Sequence, residues 1–281
     1  MYFNYIENEL TIYYNTIKNT KIKEILVYSL EGGKCIRGFI VKHLIETLTQ
    51  SNITLWEPIV AIELVHGISL IIDDLPCMDN DKIRRNKDST FVKFGEKQTI
   101  LISYYVISEV FGMLVEAIDK LNFTNDEYVI NIKKIIKTWR EYIGKNLIIG
   151  QLLDLEENVK ELLDLDIDLN NININIINYK TGSLFIFAFL LGGIYSNKQI
   201  NLEDYKQIGI YFGLMYQITD DSRDIAKDKK EINIVLNIGQ KKTKLLYLEC
   251  KTKLLDLLDK NNIATKELLE LIYYIDSLLL L

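Results

Sequence analysis

Apolar residues recur at three- and four-residue spacing along most of the chain, the period of a helix with one buried face. The segments around 5–30, 38–50, 57–74, 98–120, 126–152, 178–195, 203–226 and 240–280 carry this period, and each predicts a helix. No sustained two-residue alternation points to a sheet. The stretch 170–175 alternates Asn and Ile after two asparagines and could imitate a strand. Its biased composition reads as a loop before a helix that starts near Ile177. Residues 154–170 are acidic and polar, a helix end and a solvated loop, and 226–234 form a second charged break. The pattern predicts an all-α, single-domain antiparallel helix bundle over 1–281, with a site in a cavity between facing helices.

Composition narrows this picture. The 281 residues are 48% hydrophobic, enough for a sizeable core, and with Pro58 and Pro76 as the two prolines little interrupts helices. No Gly-rich or Pro-rich linker and no repeat of solenoid length divides the chain. A net charge of -6 argues against a nucleic-acid partner. It leaves an anionic substrate open, because a metal or a local basic patch reverses the field. Cys35, Cys77 and Cys250 form no CxxC pair and suggest a reduced compartment. With only His43 and His66, a zinc site is not expected. The N-terminus lacks a basic region before an apolar stretch, and no window reads as long enough to span a membrane. Leu278 to Leu281 reads as the end of a packed helix. A cytoplasmic location without a transmembrane segment is the resulting expectation.

The candidate chemistry lies in two aspartate clusters, Asp73-Asp74-Leu75-Pro76-Cys77-Met78-Asp79 and Asp220-Asp221-Ser222-Arg223-Asp224. Crowded carboxylates in apolar surroundings repel one another unless a cation neutralises them. Oxygen ligands completed by substrate phosphates suit Mg²⁺. Positions i, i+1 and i+4 share one helix side, so Asp220, Asp221 and Asp224 form one patch, and Gln217 shares it. Gly213, a further turn back, leaves room for a ligand or a close helix. A solvated acidic surface paired with Arg223 and nearby lysines is the plain alternative. In the first cluster, His66 precedes Asp73 by two turns. Pro76 ends the helix, so Asp79 must return from a turn. Arg84 and Arg85 follow, and guanidinium groups match phosphate bidentately. His66 taken alone would more often be a packed helix histidine.

These residues resemble the trans-isoprenyl diphosphate synthases of the polyprenyl synthetase family. DDLPCMDN-DKIRRN is similar to the first aspartate-rich motif followed by RR, and DDSRD to the second motif, DDxxD. YSLEGGKCIRG (28–38) resembles GGKRxRP, GQLLDL (150–155) resembles GQxxD, KTGSLF (180–185) resembles KTxxLF, and YQITDD (216–221) resembles FQxxDD. The matches run in order from about residue 26 to 225. The resemblance implies an isoprenoid synthase bundle and a homodimer, with helices such as 98–118 at the two-fold. It implies that Lys34, Arg37, His66 and Arg85 hold the diphosphate of isopentenyl diphosphate. Asp73, Asp74, Asp79 and Asp220, supported by Asp221 and Asp224, would bind about three Mg²⁺ ions and through them an allylic diphosphate. Arg84 and Lys180 would contact that diphosphate, and Thr181 and Gln217 would sit near the developing carbocation.

Some positions depart from the family pattern. Cys35 and Gly38 stand for the usual arginine and proline of GGKRxRP, and Ile72 for a histidine before the first aspartate. Asn86, Lys87, Asp88 and Phe91 replace the GKPxxH run, and one of Lys227, Lys229 or Lys230 would supply a later phosphate contact. These changes bear most on isopentenyl diphosphate binding. Val65, Ile68 and Ser69 lie within two turns before Asp73 and lack bulky aromatics. In this family that pattern implies a twenty-carbon, geranylgeranyl product, with farnesyl or C25 products as alternatives. A class I terpene cyclase and a non-catalytic synthase subunit are the readings from other classes. The intact GGK and RR positions weigh against the first, and the two intact aspartate motifs against the second.

Overall fold

The computed structural model describes residues 3–49, 55–121, 123–155, 172–225 and 233–281. Helices run from α1 (Phe3–Thr16), α2 (Thr20–Leu30), α3 (Ile36–Thr49) and α4 (Trp56–Asp73) to a hairpin of β1 (Ile83–Arg84) and β2 (Lys87–Asp88). Next come α5 (Thr90–Phe94), α6 (Glu96–Asp119), α7 (Asn125–Glu141), a π-helical turn at Tyr142–Asn146 and α8 (Leu147–Leu155). The chain continues with α9 (Ile172–Ile177), a second π turn at Asn178–Gly182, α10 (Ser183–Tyr195) and α11 (Leu202–Asp224). Last come α12 (Ile234–Ile238), α13 (Gln240–Lys260) and α14 (Lys266–Leu278). The all-α expectation stands, with the two-residue strands as its one exception among the described residues.

Several predicted boundaries move for local reasons. The segment 5–30 is two helices, because the Asn19 side chain accepts from Lys21 N and Ile22 N and starts α2 afresh. The segment 240–280 also divides, at left-handed Asn262 (φ 55°) and at Thr265, which caps α14 through Leu268 N. The Asn/Ile stretch is not wholly a loop, since Ile172–Ile177 is helical and leads through the π turn into α10. Residues 156–171 and 226–232, with Lys227, Lys229 and Lys230, lie outside the described residues. The membrane reading is also corrected. By length and composition, Glu96–Asp119 and Ile174–Tyr195 are both apolar enough to cross a bilayer. The stretch 98–115 contains one charged residue, Glu109. The second helix is mostly buried inside the fold, as a core helix would be.

The chain forms two compact units, residues 1–42 with 51–132, and residues 43–50 with 133–281. In the first, α4 packs against α6 and α1. Its residues from Glu57 to Val65 are all buried. In the second, every residue of α10 is buried, and α11 packs between α10 and α13. Each unit thus holds one aspartate-bearing helix by apolar burial.

Candidate active site

In the first unit, α4 ends at Asp73, and the chain turns back as the position of Pro76 requires. Asp79 N donates to Asp73 O at 2.9 Å, which brings the third aspartate of the motif beside the first. Asp73 is half-buried and Asp79 exposed, whereas Asp74 is completely buried. Arg84 donates to Asp74 Oδ1 from Nε at 2.9 Å and also from its terminal nitrogen. Burial raises the pKa of the Asp74 carboxyl, and Arg84 opposes the rise. The two members of the RR pair therefore have different partners. The hairpin register pairs Ile83 with Asp88 and Arg84 with Lys87, leaving Arg85 and Asn86 as a two-residue turn. Both have positive φ, 52° and 61°, the geometry of a type I′ turn. Arg84 thus lies on the strand, and Arg85 points from the turn to the end of α2. Arg85 Nη1 donates to Leu30 O and to Glu31 O, each at 2.8 Å. Carbonyls at a helix C-terminus favour a cation.

The GGKCIRG segment begins α3. Arg37 is buried, while Lys34 is exposed. Gly38 N donates to Glu63 Oε1 at 2.6 Å. A proline has no N–H to give, so glycine at this position and Glu63 on α4 go together. Burial raises the pKa of Glu63, while the Gly38 N–H and Arg37 lower it. His66 lies one turn further along α4, and its Nδ1 is buried without a hydrogen-bond partner. Burial pushes its pKa well below 6.5, and Arg37, Arg85 and Arg84 push it in the same direction. The unit therefore gathers three arginines and a neutral histidine, a setting suited to a polyanion. Val65 and Ile68 are buried and Ser69 is half-buried, its hydroxyl donating to His66 O at 2.8 Å.

In the second unit, Lys180 and Thr181 occupy the π turn before α10. Such turns recur at functional sites because they shift a side chain's direction within a helix. Lys180 Nζ donates to Asp154 Oδ2 at 2.6 Å. Gly150 of the GQLLD segment lets α8 lie against this turn, since a Cβ there would stand 2.3 Å from Lys180 N. Gly213 serves a close helix: a Cβ on it would stand 2.9 Å from Gly182 Cα. Thr181 Oγ1 donates to Gln217 Oε1 at 2.6 Å, and Gln217 Nε2 donates to Asp221 Oδ1 at 2.7 Å. Asp220 and Asp224 are half-buried, and Asp221 is buried. Asp154, Glu63 and Asn233 take part in these networks and were not among the predicted site residues. Asp154 closes the matched GQLLD segment, and Glu63 is an acid in the apolar middle of α4. Both signals are in the sequence.

Among the described residues, no three His, Cys, Asp or Glu side chains form a ready cluster for a metal ion. The donors nevertheless fit Mg²⁺. All are carboxylate oxygens, and Asp74 Oδ2 is buried with no hydrogen-bond donor, an acceptor that a hard cation would satisfy.

The profile of the polyprenyl synthetase family matches residues 19–264. The chain belongs to the polyprenyl synthetase family. Among family members, it is 32% identical over 277 residues to the farnesyl diphosphate synthase of Buchnera aphidicola subsp. Schizaphis graminum, covering 92% of this chain and 86% of that protein. It is 31% identical to the mitochondrial geranylgeranyl pyrophosphate synthase 10 of Arabidopsis thaliana, over 75% of this chain. The matched part spans 60% of that synthase's length and 56% of the Arabidopsis chloroplastic heterodimeric large subunit 1. A geranyltransferase from Legionella pneumophila has the same fold, with a TM-score of 0.79 and 24% identity over 99% of this chain and 94% of that one. The Thermotoga maritima geranyltranstransferase also shares it, with a TM-score of 0.78 at 24% identity, covering 98% and 97% of the two chains.

Proposed function

We propose that this family member condenses isopentenyl diphosphate head to tail (1'-4) with an allylic diphosphate, releasing diphosphate and forming a trans-prenyl diphosphate. The observation that carries the reading is the first aspartate motif, where the turn brings Asp79 back to Asp73 beside an arginine pair with two separate partners. Asp73, Asp74, Asp79 and Asp220, with Asp224, would hold about three Mg²⁺ ions. The two carboxylate oxygens of Asp221 already accept N–H groups from Gln217 and Ile234, so Asp221 would support the site from behind rather than ligate a metal. Bound there, the ions would offset the charge of the departing diphosphate. Arg84 and Lys180 would bind the allylic diphosphate and trade their present carboxylate partners for it. Lys34, Arg37, His66 and Arg85 would hold the second diphosphate, so that the homoallylic double bond meets the cation before water does. Thr181 and Gln217 would orient oxygen dipoles toward the developing positive charge.

The proposal extends to one domain over 1–281, acting as a homodimer in the cytoplasm. A twenty-carbon product is favoured by the modest side chains at Val65, Ile68 and Ser69. A farnesyl product is the second reading, supported by the identity to the Buchnera synthase. One incubation tests the scheme, with purified protein, Mg²⁺, labelled isopentenyl diphosphate and an allylic diphosphate. Longer diphosphates are expected, ending at geranylgeranyl diphosphate. Farnesyl diphosphate as sole end product would overturn the length assignment. Hydrocarbons made from the allylic substrate alone would identify a cyclase, and no product at all a regulatory subunit.

A further inference from the structure

Asp221 stands at the head of a hydrogen-bonded chain that ends on Thr181. Its Oδ1 accepts from Gln217 Nε2 at 2.7 Å, and Gln217 Oε1 accepts from Thr181 Oγ1 at 2.6 Å. Its Oδ2 accepts from Ile234 N at 2.8 Å, at the start of α12. Asn233, 1% exposed, donates from Nδ2 to the Asp221 carbonyl at 2.8 Å. The Asn233 Oδ1 accepts from Val235 N at 3.0 Å and Leu236 N at 3.2 Å, capping α12. The Asp221 carboxylate is thus held at both oxygens by N–H groups, and its own backbone is tied to the same cap.

The donor and acceptor inventory makes this chain directional. An ionised carboxylate only accepts hydrogen bonds. Gln217 must therefore turn its NH₂ to Asp221 and its carbonyl to Thr181. Thr181 has one hydroxyl proton and must give it to Gln217, so its outward-facing capacity is lone pairs alone. We propose that Asp221 is a positioning residue that fixes the Gln217 amide, and through it makes Thr181 present lone pairs rather than a proton to a developing allylic cation. The inference rests on the synthase reading. Neutralising Asp221 frees the amide to rotate, which lets the Thr181 hydroxyl reverse and point its positive end at the cation. A preorganised dipole aids a transition state only while its direction is fixed.

The test combines Asp221→Asn, Gln217→Met and Thr181→Val, singly and in pairs. Each single variant is expected to lower kcat by roughly tenfold to a hundredfold, with the half-saturating Mg²⁺ concentration unchanged. The Asp221→Asn/Thr181→Val pair should be no slower than Thr181→Val alone. Losses that multiply, or a roughly tenfold rise in the Mg²⁺ needed by Asp221→Asn, would make Asp221 an independent group or a metal ligand and overturn the proposal. Should Asp221→Asn fail to fold, the Gln217→Met/Thr181→Val pair asks the same question without touching the α12 anchor, and multiplied losses there overturn it equally. A readout without turnover separates this inference from the synthase reading. In metal-free protein, the Gln217 side-chain amide protons should exchange with solvent roughly tenfold faster in Asp221→Asn than in wild type. Unchanged exchange refutes the relay in an active enzyme, whereas wild type that makes no prenyl diphosphate refutes the synthase reading itself.

Discussion

His66 shows how single residues carry the proposed second-substrate pocket. The chain has few histidines, and this one lies among Arg37, Arg84 and Arg85 with its Nδ1 unpartnered. Burial, then those guanidinium groups, hold its folded pKa well below the unfolded 6.5. The unfolded chain therefore binds a proton first as pH falls, so this contribution to stability is complete above about pH 6.5 and is lost on acidification toward the folded value. Melting temperature followed from neutral pH to about pH 5 should drop more steeply in wild type than in His66→Gln. Equal slopes would mean that His66 is already paired or exposed. Inorganic diphosphate bound beside the arginines should raise the imidazole pKa, readable from its nitrogen resonances. Gly38 belongs to the same scale. Its departure from the family's proline looked like a loss for isopentenyl diphosphate binding, yet its N–H serves Glu63. Only the partner across the fold reveals that exchange.

At the scale of elements, the helices that hold the site were legible because their apolar faces repeat over several turns. Their interruptions were not. A π turn differs from an α turn by one hydrogen-bond step, and the packing of neighbours decides which forms. The turn bearing Lys180 and Thr181 lies against α8 and α11 through glycines at close range. Gly150→Ala should place its Cβ against Lys180 backbone, which cannot swing aside as a side chain can. A loss of about 1–3 kcal/mol in denaturant unfolding is expected. Gly112→Ala in α6 is the control. No atom lies within 4 Å of a Cβ there, so the exchange should stabilise by about 0.5–1 kcal/mol. Equal effects at both positions would show that helix propensity, not packing, sets the cost at Gly150. The hairpin belongs with the turns. Strands two residues long leave no alternation to read, and its type I′ turn rests on left-handed Arg85 and Asn86.

For the whole molecule, the question is what the metal would hold together. In each unit the aspartate-bearing helix is already fixed by apolar packing, at Glu57 to Val65 on α4 and at Phe212, Leu214, Met215 and Ile218 on α11. Chelation by EDTA should therefore abolish condensation while shifting the melting temperature by no more than about 4 °C. Collapse of helical circular dichroism on chelation would instead assign the metal a structural role. The sequence by itself determined the helical class, the order of the motifs and the residue types of the site. Hydrophobic period and motif chemistry are local properties that each segment carries in its own residues. The tertiary structure decided how those residues are partnered. Arg84 and Arg85 are adjacent in sequence but reach different partners, one a buried aspartate and the other the end of a helix. Asp220 and Asp221 are equally alike in sequence, yet Asp221 is the one that holds Gln217 and the start of α12. Hydrogen bonds between residues far apart in sequence depend on where the folded backbone carries each donor, which no local pattern records.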